Sequence, residues 1–302
     1  MTAPATSAVV LPERAWRERE AAHAERADVL TAGHRERRQT GQAHPVEDFL
    51  FTYYPTRPAQ LRRWHPGATV MLTGAAERAD WRWYRVDPAG RAWLDPAAFL
   101  ADRGEGVAWA RELLEGTLGR PGRYTCFGLH EWAMVYRTRE VRHGQVPLRL
   151  GAEGTDEVVR AHPLRCTHFD AFRFFTDDAV PRNEQPLDRA SQLRLEQPGC
   201  LHANMDTYRL AMKLGPAVPG ELLLDCFALA RDIRELDMRA SPYDLQDWGY
   251  EPVPIETAEG KATYVAAQRE FTHRSNELRH RLLAAIAALD VLTEPDVAGR
   301  RI

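Results

Sequence analysis

Three short segments of the chain each place a cysteine, a histidine and a carboxylate among strongly apolar neighbours. They span residues 126–132, 166–170 and 200–206. An ionisable group buried among Phe, Trp and Leu is strongly destabilising unless it is paired, hydrogen-bonded or bound to a metal. Any fold of this chain must therefore supply interior partners for these groups, and we expect the chemistry of the protein to lie there.

The composition is that of a soluble globular protein. The chain has 302 residues, 44% of them hydrophobic, which is enough for a sizeable core. No stretch approaches the roughly 18 apolar residues of a membrane span, and the N-terminus lacks a secretion signal, so we expect a cytoplasmic protein without a membrane partner. Because the formal net charge is −3, any binding of DNA must rest on local arginine-rich patches.

Residue patterns predict a mainly helical α+β fold in a single domain, residues 1–302. An N-terminal surface helix is expected over residues 12–38, followed by a mixed α+β region with short strands over residues 44–175. The proline-rich residues 176–199 predict a long irregular connection, which in a compact domain is more often functional than idle. Residues 200–290 predict a C-terminal helical bundle.

Within these regions the patterns predict individual elements. Residues 68–86 favour a β-hairpin, residues 146–150 a short strand, and residues 151–157 a loop. Helical spacing predicts helices over residues 202–214, 221–238 and about 257–289. In the second of these, acids alternate with arginines beside the apolar stripe, which is typical of a solvated face.

The spacing of His202 and Asp206 places them together. On a helix, side chains four residues apart project from the same face about one turn apart. Such a pair suits a histidine oriented by a carboxylate, or two ligands of one Zn, Fe, Ni or Mn ion. His130 or Glu131 would be a further ligand or a base. The candidate ligands of a divalent transition metal are His168, Asp170, His202 and Asp206.

A purely structural interpretation of the same segments stays open. Each histidine would hydrogen-bond a core carbonyl while the neighbouring acid pairs with Arg137, Arg173 or Arg209. The cysteines favour core packing, because free Cys behaves as a small hydrophobe and a reactive thiolate needs a nearby cation or metal.

An aromatic, arginine-rich segment covers residues 49–64. It could stack a flat ring or follow a phosphate backbone, or it could form the edge of the core with an exposed basic rim. Its aromatic members are Phe49, Phe51, Tyr53, Tyr54 and Trp64, interleaved with Arg57, Arg62 and Arg63.

Several catalytic motifs do not occur in the sequence. The Walker A loop, the dinucleotide-binding glycine fingerprint, the serine-hydrolase elbow and the HExxH zinc motif are all missing. His130-Glu131 is only the first half of a zincin motif, since position 134 is Met134. Nucleotide-driven, nicotinamide, serine-hydrolase and zincin functions are therefore not expected.

Several blocks resemble a bacterial family that carries the name 3-methyladenine DNA glycosylase, over most of residues 44–270. The resemblance implies a DNA-repair enzyme without a cofactor that hydrolyses the N-glycosidic bond of an alkylated purine. Such enzymes extrude the base into an aromatic pocket, where a carboxylate activates water or stabilises the cationic transition state. The blocks lie at residues 44–67, 128–137, 166–175, 201–208, 222–227 and 234–244.

The family motif transfers no catalytic residue, so the candidates are chosen by residue type. The catalytic candidates are Asp206, Asp170, Glu131 and His130. The substrate-binding candidates are Tyr53, Tyr54, Trp64, Trp132, Arg173 and Tyr208. Three functions stay open: a glycosylase that binds DNA through local arginine patches, a metal-dependent enzyme acting on a small molecule, and a non-catalytic interaction protein that uses its N-terminal helix.

Overall fold

Helices dominate the described part of the chain, residues 9–138, 141 and 144–293, in this computed structural model. A small mixed sheet accompanies them, so the expectation of a mainly helical α+β fold is confirmed. The strands are β1 (Val9–Leu11), β2 (Val70–Leu72), β3 (Tyr84–Val86) and β4 (Ala92–Leu94). The helices are α1 (Glu13–Thr40), α2 (Phe49–Thr52), α3 (Pro58–Leu61), α4 (Pro96–Leu118), α5 (Leu129–Ala133), α6 (Gly151–Ala161), α7 (Phe169–Phe172), α8 (Gln192–Leu195), α9 (Leu201–Leu214), α10 (Gly220–Arg239) and α11 (Ala258–Thr293).

The sheet has the strand order β1-β2-β4-β3, with β1 parallel to β2 and the other pairs antiparallel. The hairpin joins β3 to β4, so the prediction of a hairpin over residues 68–86 was wrong. The chain reverses at Gly90, whose φ of +73° is readily adopted only by glycine. β2 instead lies between β1 and β4.

The core lies where α9, α10, α11 and α4 pack together. α9 and α10 match the helices predicted from periodicity, and α1 and α11 match those expected at either end of the chain. α1 packs against α3 and α10, and its Trp16 is completely buried against the sheet. No helix among the described residues is both long and apolar enough to cross a membrane.

Two local predictions fail between residues 146 and 161. The expected loop at residues 151–157 lies in α6, which buries Thr155, Val158 and Val159 at helical spacing. The expected strand at residues 146–150 is reduced to a single bridge between Leu148 and Tyr243. Tertiary burial of one apolar stripe outweighs the weak helix propensity of the glycines in α6.

Candidate functional site

Helix α9 carries the centre of the site. His202, Asp206 and Arg209 recur along its length at i, i+4 and i+7, so they share one face. His202 and Asp206 are buried, and most of the helix is enclosed by its neighbours. Their polar atoms must therefore find partners in the interior.

The first buried group combines His202 with His130 from α5 and Asp237 from α10. One potential ligand atom from each residue lies within 4.8 Å of the others. The His130 and His202 rings are 4.4 Å apart, and Nε2 of His130 lies 2.8 Å from Oδ1 of Asp237. Gly128 leads into α5 with φ of +73°, a left-handed conformation that suits glycine and turns the chain towards the interior.

Arg234 lies beside this first group and binds the carboxylate of Asp237. Its Nη1 donates to Oε1 of Glu131 at 2.8 Å and to Oδ2 of Asp237 at 2.9 Å. Its guanidinium also lies 3.8 Å from the centre of the Phe49 ring. Since Arg234 is only 1% exposed, the two carboxylates and the cation form a buried ion cluster.

The second buried group consists of His168, Glu196 and Asp206. Oε1 of Glu196 lies 2.9 Å from Nδ1 of His168, and Oδ2 of Asp206 lies 3.8 Å from its Nε2. Within the described part of the chain, neither ring nitrogen is in hydrogen-bond geometry with a partner, nor is Oδ2 of Asp206. His168 also stacks on His202 with ring centres 5.3 Å apart, so the two groups are neighbours.

Asp206 is further held by Tyr54 and Arg209. The hydroxyl of Tyr54 donates to Oδ1 of Asp206 at 2.7 Å. Arg209 contacts Oδ2 of Asp206 and donates through Nη1 to Asp170 at 2.7 Å. Arg173 adds a longer ion pair to Asp170, at 3.4 Å.

The carboxylates set the charge states of the histidines. Burial lowers the pKa of His130, but the charge and hydrogen bond of Asp237 outweigh it and raise that pKa well above its ordinary value. Burial likewise lowers the pKa of His168, which Glu196 raises above its usual value. Burial and the adjacent His130 hold the pKa of His202 well below its usual value. His202 is therefore a neutral imidazole at pH 7, the form that binds metals.

Carboxylates outnumber arginines in this buried network. Four arginines pair with five carboxylates, and two of these arginines, Arg173 and Arg189, reach only Asp170, at 3.4 Å and 3.6 Å. The remaining imbalance matters because an uncompensated buried charge is strongly destabilising. Protons on His130 and His168, or a bound cation, would restore the balance. The carboxylates are Glu131, Asp170, Glu196, Asp206 and Asp237, and the arginines are Arg173, Arg189, Arg209 and Arg234.

Two cavities of small-molecule size open beside the network. The first, which we call the aromatic cavity, has a volume of about 440 Å³ and reaches His202. Its wall consists of Phe49, Thr52, Tyr53, Glu131, Met134, Asp170, Ala171, Phe174 and His202. The second, which we call the cationic cavity, has a volume of about 410 Å³ and shares Tyr53 and Asp170 with the first.

The four predicted metal ligands separate into different surroundings. His202 belongs to the first group, whereas His168 and Asp206 belong to the second. Asp170 belongs to neither, because Arg209 and Arg173 pair with it. His202 and Asp206 do share a helix face and His168 lies near both, but His202 groups with His130 and Asp237 whereas Asp206 groups with His168 and Glu196.

The other predicted site residues divide by burial. Glu131 lines the aromatic cavity, while His130 lines a small cavity together with His202. The predicted substrate-binding residues that line a large cavity are Tyr53, Tyr54 and Arg173. Those buried in the core, lining neither large cavity, are Trp64, Trp132 and Tyr208. The indoles of Trp64 and Trp132 donate instead to Glu221 and to the carbonyl of Ala240.

Sequence reasoning missed Asp237, Glu196 and Arg234. Asp237 and Arg234 lie on the part of α10 interpreted as a solvated face, yet both are buried. A signal was present, because Asp237 continues the buried stripe of Ala230 and Ile233 at helical spacing. Glu196 follows α8 inside the irregular connection, where no periodicity marks it.

Cys166 and Cys200 do not supply thiolates to the site. Cys126, Cys166 and Cys200 surround a small cavity beside His130. Burial raises the pKa of the Cys166 and Cys200 thiols far above the ordinary value, so both stay protonated. Their packing agrees with the core interpretation of free cysteine.

Comparison of the chain with protein-family models, with curated proteins and with solved structures found no match. The function of the protein is therefore inferred from the geometry of the two buried groups and the two cavities.

Proposed function

We propose that this chain is a metal-dependent enzyme acting on a small molecule, with a divalent transition metal bound by His130, His202 and Asp237. The observation that supports this most directly is the buried convergence of two imidazoles and a carboxylate, of which His202 lines the aromatic cavity. Two histidines and one carboxylate are a ligand set of catalytic zinc and non-haem iron sites, in which further coordination positions stay open to water and substrate.

The separation of His130 and Asp237 suits such an ion. Two bonds of about 2.1 Å at a right angle separate their ligand atoms by about 3 Å, and Nε2 of His130 lies 2.8 Å from Oδ1 of Asp237. Arg234 binds the other oxygen of Asp237 at 2.9 Å and would fix its orientation. Such outer contacts commonly orient metal ligands.

His202 connects the proposed metal to the substrate cavity. A bound metal would polarise a substrate oxygen or lower the pKa of a water molecule. Phe49, Tyr53 and Phe174 offer apolar and aromatic surface to an organic substrate, and Glu131 lies at the same wall as a proton acceptor. The raised pKa of His130 implies that a proton competes with the metal for this ligand, so metal affinity should fall as the pH is lowered.

Elemental analysis of purified protein tests the proposal. We expect about one equivalent of Zn, Fe, Mn or Ni in the wild type, and at least a tenfold loss of metal affinity in His202→Ala and Asp237→Asn. The matched controls His280→Ala and Asp232→Asn change exposed residues of the same types and should retain the metal.

Circular dichroism and the unfolding midpoint would establish that each variant is folded. The proposal fails if wild-type protein from aerobic and anaerobic preparations holds no stoichiometric metal and takes none up on titration. It also fails if folded His202→Ala binds metal as tightly as the wild type.

A second candidate is hydrolysis of an N-glycosidic bond, which the resemblance implies. The observation that favours it is a pair of carboxylates, Glu131 and Asp170, at the wall of one aromatic cavity. Burial raises the pKa of Asp170, but its bond with Arg209 outweighs this and holds the pKa below its usual value. An ionised carboxylate there would stabilise a cationic sugar-like transition state.

Release of methylated purines from alkylated DNA in the presence of EDTA separates the two candidates. A glycosylase of this kind would retain its activity in EDTA and lose at least a hundredfold in Asp170→Asn. If the protein is instead a metal-dependent enzyme, no bases should be released in the presence of EDTA.

A further inference from the structure

The cationic cavity gathers five basic side chains from four parts of the chain. Arg103 comes from α4, Arg173 directly follows α7, Arg189 lies in the connection before α8, and Arg209 and Lys213 lie on α9. Among the described residues that line this cavity, Asp170 is the only carboxylate. In a protein with a formal net charge of −3, such a concentration of positive charge is local and needs a counter-charge.

Two of these cations have no acidic partner within the described residues. Arg103 donates to the backbone carbonyl of Lys213 at 3.1 Å, and no described carboxylate lies within ion-pair distance of either side chain. The Lys213 ammonium lies 5.3 Å from the Trp109 ring centre. Arg173 and Arg189 pair only at 3.4 Å and 3.6 Å with Asp170, which Arg209 already holds at 2.7 Å.

The cationic cavity is continuous in its lining with the aromatic cavity. Tyr53 and Asp170 belong to the walls of both. At about 410 Å³ and about 440 Å³, both fall in the range of roughly 300–1,000 Å³ that is typical of small-molecule sites. A ligand that passes beside the shared residues Tyr53 and Asp170 would place an apolar ring beside His202 and a negative group among the arginines.

We propose that the substrate is an organic anion whose phosphate or carboxylate group binds in the cationic cavity while its apolar part occupies the aromatic cavity. This inference rests on the proposed function, which places the reaction at the end of the substrate that lies beside His202. Arginine forks suit the oxygens of phosphate and carboxylate, and lysine adds a compact charge. The aromatic wall and His202 then act on the part of the molecule remote from the anion.

Isothermal titration of EDTA-treated protein with phenyl phosphate, benzoate, inorganic phosphate and phenol tests the inference without any metal. Phenyl phosphate or benzoate should bind at least tenfold more tightly than inorganic phosphate or phenol, a difference of about 1.4 kcal/mol. The tighter of the two aryl anions identifies the group as phosphate or carboxylate.

Variants locate the binding. Arg103→Gln and Lys213→Gln should each weaken binding of the preferred aryl anion about tenfold and leave phenol unchanged. Arg111→Gln, on the same helix as Arg103, and Lys261→Gln are the matched controls and should retain wild-type affinity. The unfolding midpoint of each variant shows that it is folded.

The inference is overturned if neither aryl anion binds at millimolar concentration, or if the controls weaken binding as much as Arg103→Gln and Lys213→Gln. Because the titration uses metal-free protein, this failure is distinct from a failure of the metal proposal, which is measured by the metal content of His202→Ala.

Discussion

Replacing Arg234 with methionine removes the cation that Glu131 and Asp237 share. Both carboxylates are buried, and both accept from the same Nη1 atom, at 2.8 Å and 2.9 Å. Breaking a buried ion pair by removing one partner lowers the free energy of unfolding by about 3–5 kcal/mol. At about 2–4 °C per kcal/mol for a domain of this size, the midpoint should fall by roughly 6–20 °C.

Urea denaturation of EDTA-treated protein at pH 7 measures the change. Arg231→Met is the matched control, because Arg231 lies on the same helix but is exposed, and it should change stability by no more than about 0.5 kcal/mol. Adding Glu131→Gln to Arg234→Met should recover part of the loss, since it removes one uncompensated charge.

If the free energy of unfolding falls by less than about 1 kcal/mol in Arg234→Met, or by no more than in Arg231→Met, the buried cation does not stabilise the two carboxylates. Failure of the double variant to recover any stability would show that lost packing over Phe49, rather than charge, causes the effect.

Two further predictions concern stability outside the site. Burial lowers the pKa of His65 to about 3. The contribution of neutral His65 to the free energy of unfolding is complete above pH 6.5 and is lost as the pH falls towards 3. The reason is that His65 takes up a proton in the unfolded chain but not in the folded protein. Between pH 7 and 5 the unfolding free energy should therefore drop about 2 kcal/mol less in His65→Gln than in the wild type; parallel urea-denaturation profiles would disprove this. A Cβ at Gly260 would overlap the carbonyl oxygen of Pro254, whereas one at Gly104 in α4 meets no atom within 4 Å. In thermal denaturation, Gly260→Ala should lose about 1–3 kcal/mol and Gly104→Ala should gain about 0.5–1 kcal/mol; equal effects would contradict the packing argument.

Local spacing predicted the helix that carries the site but not the partners of its side chains. The interval between His202 and Asp206 places both on one face of α9. Whether they join one group depends on the rings and carboxylates that approach from other elements. His130 on α5 contacts His202, whereas His168, the residue directly before α7, lies beside Asp206.

Charge patterns along α10 were misleading for the same reason. Asp232 and Asp237 both occur among alternating acids and arginines, but Asp232 is exposed and pairs with Arg274, whereas Asp237 is completely buried beside His130. Composition cannot separate the two. The position of each residue relative to the α9–α10 contact determines which one enters the interior.

Periodicity and composition are local properties, so the sequence alone predicted the long helices, the mainly helical class and the ionisable side chains in apolar segments. The partners of those side chains emerge from the packing of the helices: Asp237 and Glu196 meet the histidines, and arginines from four segments face one cavity. Helical spacing marks Asp237 as a buried position, but it does not specify which histidine meets it. These contacts join residues far apart in the chain and depend on how α9, α10 and the short helices pack.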